Sequence, residues 1–109
     1  MDLQLKGRTA LVTGASQGLG RAIALGMAAE GLKVAAVARR MDLLEGLRAE
    51  ILKAGGAEPV LIQADLYPEG AAESIAERAV KALGRVDVLV NAAGGSRPLP
   101  VSEIGRAHV

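Results

Sequence analysis

The chain contains no cysteine, no phenylalanine and no tryptophan in 109 residues, and Tyr67 is its one tyrosine. Without thiols there can be no disulfide, no thiolate nucleophile and no cysteine metal site, and a reducing compartment is expected. His108 is the single histidine, which excludes a histidine metal cluster, and beside the end of the sequence it is poorly placed for a charge relay. An excess of charge is lacking too: 13 basic and 12 acidic residues give a net charge of +1, so no steering field exists for nucleic acid or an anionic membrane. Nor is there a long uncharged apolar run. Arg8 and Arg21 bracket the longest candidate, which falls short of the roughly 18 to 20 residues of a membrane span. The segment from Met1 to Arg8 alternates polar and apolar residues with no signal-peptide core. These absences predict a cytoplasmic soluble protein with no nucleic-acid or membrane partner and no bound metal.

What is present is an apolar half built from Ala, Val, Leu, Ile and Gly, against 23% charged residues. Small side chains pack closely between backbone layers, which suits a parallel sheet covered by helices. The length fits one compact domain. Along the chain, short apolar runs alternate with helical periodicities. Strands are predicted over Thr9–Thr13, Val34–Ala38, Pro59–Ala64 and Val86–Val90. Helices are predicted over Gly18–Glu30, with Leu19, Ala22, Ile23 and Gly26 on the buried face, and over Met41–Ala54, with Leu44, Leu47 and Ile51 inside. A third is expected to begin at Pro68 and to bury Ala72, Ile75, Ala76, Ala79, Val80 and Leu83. Strand and helix alternating in this way predict right-handed βαβ crossovers, hence an α/β, Rossmann-like three-layer fold with a mostly parallel sheet.

The first strand exits into Thr13-Gly14-Ala15-Ser16-Gln17-Gly18-Leu19-Gly20. A pyrophosphate bound at a helix N-terminus needs free N–H groups and backbone that can approach with no Cβ in between. Gly14 can take the turn, Gly18 can open the helix toward a ligand, and Gly20 can let the helix pack close. A plain strand-to-helix turn is the alternative. Three glycines confined to one junction, with small Ala15 and Ser16 between them, favour the phosphate cradle.

The spacing TGxxxGxG departs from GxGxxG and resembles the cofactor motif of the short-chain dehydrogenase/reductase family. Two more motifs carry the resemblance in order and spacing. Asp65-Leu66 is similar to the family's adenine-contacting acid and its neighbour. Asn91-Ala92-Ala93-Gly94 is similar to its NNAG motif, with Ala92 in place of the second asparagine, a departure expected to weaken a hydrogen-bond network around the central strand. The resemblance spans about residues 5 to 96 and implies a dinucleotide site formed by Gly14, Ser16, Gln17, Gly18, Leu19, Gly20, Asp65, Leu66, Asn91, Ala92, Ala93 and Gly94. Asp65 could instead cap the helix after Pro68, and Asn91 could be an ordinary turn former.

Which nucleotide is bound turns on the end of the second strand. An acid there would accept hydrogen bonds from the adenosine ribose and favour NAD. The chain has Ala38, followed by Arg39 and Arg40. A guanidinium fork suits a 2′-phosphate, and family members with alanine and then a basic residue share that preference, so NADP(H) is expected over NAD(H). The alternative is that both arginines are solvent-facing loop ends.

The family resemblance implies carbonyl reduction or alcohol oxidation by a tyrosine, a lysine four residues beyond it, a serine and a further asparagine. A phenol near pKa 10 needs a neighbouring cation to work near neutral pH. Four residues after Tyr67 stands Ala71, and Ser16, Ser96 and Ser102 have no base partner. No catalytic residue is therefore assigned. Residues 1–96 read as an NAD(P)-binding βαβαβαβ half-domain truncated after the fourth strand, and 97–109 as a loop and the start of a helix cut short. The chain alone is expected to be inactive, with a small-molecule substrate and room for a homo-oligomer only in the complete enzyme. The other class open is a non-catalytic dinucleotide-binding or assembly module.

Overall fold

The computed structural model describes residues 6–66 and 68–92. Expectations that fall on Tyr67, Ala93, Gly94, His108 and the 97–109 segment lie outside the described residues. Seven elements follow in the order β1 (Thr9–Thr13), α1 (Gly18–Ala29), β2 (Lys33–Ala38), α2 (Met41–Lys53), β3 (Val60–Gln63), α3 (Ala71–Leu83) and β4 (Val88–Asn91). The strands form one parallel sheet in the order β3-β2-β1-β4. Such a sheet is covered on both faces, which explains why β1 is buried at every residue and carries no alternation of polar and apolar side chains.

Neighbouring residues on each strand serve opposite faces. Leu11, Ala35, Val37 and Ile62 meet Ile75, Ala76 and Ala79 of α3 on one side. Val12, Val34, Ala36 and Ala38 meet Ala24 and Ala28 of α1 and Leu44, Leu47 and Ile51 of α2 on the other. Each α-helix ends near a glycine with positive φ: Gly31 at +92°, Gly55 at +90° and Gly84 at +88°. That left-handed conformation lets the chain turn back without a Cβ penalty.

Four expectations need correction. On α1 the buried residues are Gly20, Ala24 and Ala28, while Leu19, Ala22 and Gly26 are exposed and Ile23 is half-buried. The helix sits so close to the sheet that its smallest residues face inward, and the larger apolar side chains are displaced outward. Helix α3 starts at Ala71 rather than Pro68, because Pro68–Gly70 forms a turn: the Ala71 N–H donates to the Pro68 carbonyl at 3.1 Å, and Gly70 takes φ +83°. Val80 lies at the edge of the α3 stripe, 37% exposed. The strand ends also differ by one or two residues, as ladder bonding rather than hydrophobicity sets them.

Candidate dinucleotide site

Because β2 lies on one side of β1 and β4 on the other, the chain leaves the carboxyl end of β1 at a point where successive connections diverge. Open α/β sheets bind ligands at such a divergence. A cleft of about 250 Å³ lies there. All four strand ends contribute to it: Gly14, Ser16 and Gln17 after β1, Val37, Ala38 and Arg39 at β2, Ala64, Asp65 and Leu66 after β3, and Ala92 after β4. Its volume is just below the roughly 300 to 1,000 Å³ of small-molecule sites, so it suits one end of an extended ligand.

The glycine turn forms the wall nearest α1. Gly14 and Gly18 have φ of +66° and +62°, a region that side-chain-bearing residues avoid. The Ala15 N–H donates to the Val37 carbonyl at 3.1 Å, which fastens the turn to β2. At Gly20 a Cβ would fall inside the Gly14 carbonyl group, 2.7 Å from its carbon, and 3.2 Å from the Ala92 Cβ. The close packing expected of Gly20 is therefore onto the turn itself. A side chain at Gly18 would meet nothing within 4 Å of its Cβ, so this glycine faces open space.

Electrostatics single out the same end. Asp42 stands in the first turn of α2 and Glu73 in that of α3, whereas α1 has no acidic residue in its first turn. Carboxylates normally settle at this positive end of a helix. At α1 the place is left to an anion from outside, and the N–H groups behind Gly18 are available to it. The residues present thus fit a phosphate group at α1 and one end of an extended ligand in the cleft.

Most of the motif residues come together here. Gly18 and Leu19 lie on the helix end beside the cleft rather than in its lining, and Leu19 is 71% exposed. Asn91 sits at the last position of β4, opposite Thr13 in the β1–β4 register, and its Oδ1 accepts a 2.8 Å hydrogen bond from the Thr13 hydroxyl. That tie is made although position 92 is alanine. The two arginines part company. Arg39 lines the cleft, and its carbonyl accepts a 3.1 Å bond from the Gln63 amide. Arg40 lies outside the lining and pairs with Asp42. The hydrogen bond from Arg40 holds the Asp42 carboxyl below its ordinary range.

Sequence reasoning missed Thr13, Gln63 and a second clasp at the opposite end of β1. There Asp87 Oδ2 accepts from the Thr9 N–H at 3.0 Å and from its hydroxyl at 3.2 Å, and pairs with the Arg85 Nε at 3.0 Å. Burial works to raise the Asp87 carboxyl, but the Thr9 N–H and then the Arg85 and Thr9 side chains outweigh it, so it titrates below its ordinary value. A threonine at each end of a buried strand was the available signal.

A parallel sheet whose connections diverge at the carboxyl end of β1, with helices on both faces, defines a Rossmann-like α/β protein. The chain belongs to the short chain dehydrogenase family, whose profile matches residues 8–109, and it shares that family's NAD(P)-binding Rossmann-like architecture. It is 43% identical to a short chain dehydrogenase of Pseudocercospora fijiensis over 98 residues, covering 90% of this chain and 31% of that protein. The apo-form glucose dehydrogenase of Caenorhabditis elegans superposes with a TM-score of 0.78 at 36% identity, covering 85% of this chain and 40% of that one. A metagenomic short-chain oxidoreductase in complex with NADP superposes with a TM-score of 0.73 at 40% identity, covering 78% and 38%. The chain thus spans well under half the length of these relatives. Among the described residues no helix is long and apolar enough to cross a membrane, and no group of three candidate ligands could hold a metal ion.

Proposed function

We propose that this chain binds NADP(H) in preference to NAD(H), as the cofactor-holding part of a short-chain oxidoreductase. In the whole protein a bound nicotinamide would supply hydride for carbonyl reduction or accept it in alcohol oxidation. The observation that carries the reading is the pairing of an acid-free α1 end with a cleft into which β2 delivers Ala38 and Arg39 and no carboxylate. The backbone from Gly14 to Gly20 holds the pyrophosphate, Asp65 and Leu66 border the adenine, and Arg39 meets the 2′-phosphate. Asn91, tied to Thr13, fixes the end of β4 where the chain passes toward the nicotinamide side.

The test is a calorimetric titration with NADPH and NADH. NADPH should bind at least about tenfold more tightly, a difference that one charge-assisted fork supplies. Arg39→Gln should remove most of that margin and leave NADH within about twofold. Equal or tighter binding of NADH refutes the preference. The chain alone, with Ala71 four residues after Tyr67, should transfer no hydride from NADPH to small ketones or β-ketoacyl thioesters, and turnover above buffer controls would refute that part.

A further inference from the structure

Arg39 and Arg40 leave β2 side by side, yet only the first reaches the cleft. The guanidinium of Arg40 closes on Asp42 as a two-point fork, with Nε donating to Oδ1 at 3.2 Å and Nη2 donating to Oδ2 at 2.6 Å. We propose that Asp42 withholds Arg40 from the cofactor phosphate, so that this ion pair is a built-in limit on the protein's preference for NADPH. The inference rests on the NADP(H) reading of the cleft and adds a specificity-determining residue, Asp42, that lies outside it.

The first support is chemical. Two parallel N–H donors on one edge of a guanidinium are what a phosphate dianion recognises. In Arg40 the Nε–Nη2 edge is occupied by a carboxylate, which offers the same two-oxygen geometry and holds the whole side chain on Asp42. The second is positional. Asp42 stands in the first turn of α2, where the helix dipole favours its negative charge independently of Arg40. The arginine is thus the partner with somewhere else to go. The third is the rigidity of the main chain on both sides. Gln63 Nε2 holds the Arg39 carbonyl, and the Arg40 carbonyl accepts the Leu44 N–H at 3.2 Å as the first bond of α2. With the main chain held on both sides, the Asp42 fork is what fixes the Arg40 side chain, and a single substitution can release it.

The size of the limit follows from exposure. The two side chains are 66% and 62% exposed, and an exposed ion pair is held by only about a two- to fivefold preference. Asp42→Asn keeps the shape and the helix start while removing the competing charge. It should raise the NADPH-to-NADH affinity ratio about three- to fivefold, with NADH itself unchanged. The charge of Asp42 could also repel a phosphate directly. The double variant R40Q/D42N separates the two: if Arg40 is the group released, D42N gains nothing in the R40Q background.

The experiment is a titration of the protein, D42N, R40Q, R40Q/D42N and R39Q with NADPH and NADH, repeated with adenosine 2′,5′-bisphosphate and 5′-AMP to isolate the 2′-phosphate. A gain in D42N that disappears in R40Q/D42N supports the proposal. No gain, or an equal gain with and without Arg40, overturns it. The underlying NADP(H) reading fails separately, in the unsubstituted protein and in R39Q, if neither shows a contribution of the 2′-phosphate. If the unsubstituted protein has no preference and D42N creates one, the withheld arginine stands and the original preference falls.

Discussion

Replacing Gly20 by alanine adds a single methyl group at the tightest point of the molecule. That carbon would overlap the Gly14 carbonyl, 2.7 Å from its carbon, and crowd the Ala92 Cβ at 3.2 Å. The principal obstacle is main chain, so no rotamer change can relieve it and α1 must lift away from the turn. Overpacking of this kind costs roughly 1 to 3 kcal/mol, and backbone on the receiving side places it near the top of that range. Alanine returns up to about 1 kcal/mol through its better helix propensity, leaving about 2 kcal/mol of net destabilisation. For a domain of this size each kcal/mol moves the midpoint by about 4 °C, so a drop of about 8 °C is expected. Gly26 lies in the same helix, where an added Cβ would meet nothing within 4 Å. Its alanine variant should gain about 0.5 to 1 kcal/mol, or about 2 to 4 °C. Thermal unfolding followed by circular dichroism reads both. Equal midpoints for G20A and G26A would refute the claim that α1 is seated by Gly20 on the carbonyl of Gly14.

Three further outcomes are expected. Gly18→Ala places a side chain at φ +62° in open space; it should cost about 1 kcal/mol in stability but more than tenfold in NADPH affinity by titration, since the new methyl stands over the proposed phosphate path. Thr13→Val deletes the 2.8 Å bond to Asn91 and should lower stability by about 1 kcal/mol in urea titration, with its slope against denaturant unchanged. Asp87 has a depressed folded pKa, so its stabilising contribution is full above the unfolded value near 3.9 and is lost as pH falls through the folded one. Asp87→Asn should therefore unfold more easily at pH 7 and show a shallower loss of stability between pH 4 and 2; an unchanged acid profile would sink that role.

The parallel sheet was legible because its strands are continuous apolar runs bounded by glycine turns, and the cofactor end because Gly14, Gly18 and Gly20 stand at a strand-to-helix junction. The α1 face was misread for a physical reason. Periodicity assigns the core to the largest apolar residues, Leu19 and Ile23, but a helix seated on a carbonyl turns Gly20, Ala24 and Ala28 inward. The α3 start failed similarly: Pro68 fits a first helical turn, but Gly70 at φ +83° breaks the path, and a glycine's sign of φ is invisible before folding. Arg39 and Arg40 are indistinguishable as letters, and only the fork onto Asp42 separates them. Thr13 and Asn91 become partners only through the β1–β4 register.

The two clasps on β1 also govern the order in which the sheet assembles. Thr9 meets Asp87 and Thr13 meets Asn91 across a sequence separation of 78 residues, whereas β1 finds β2 after one helix. Closing the longer loop has the larger entropic cost and is rewarded only once β4 is in place. Throughout synthesis of the intervening chain, β1 must keep one edge unpaired, protected only by the helices already folded over it. Variants at Thr9, Thr13 and Asp87 should therefore act mainly on the unfolding rate, leaving early collapse around β1 and β2 untouched.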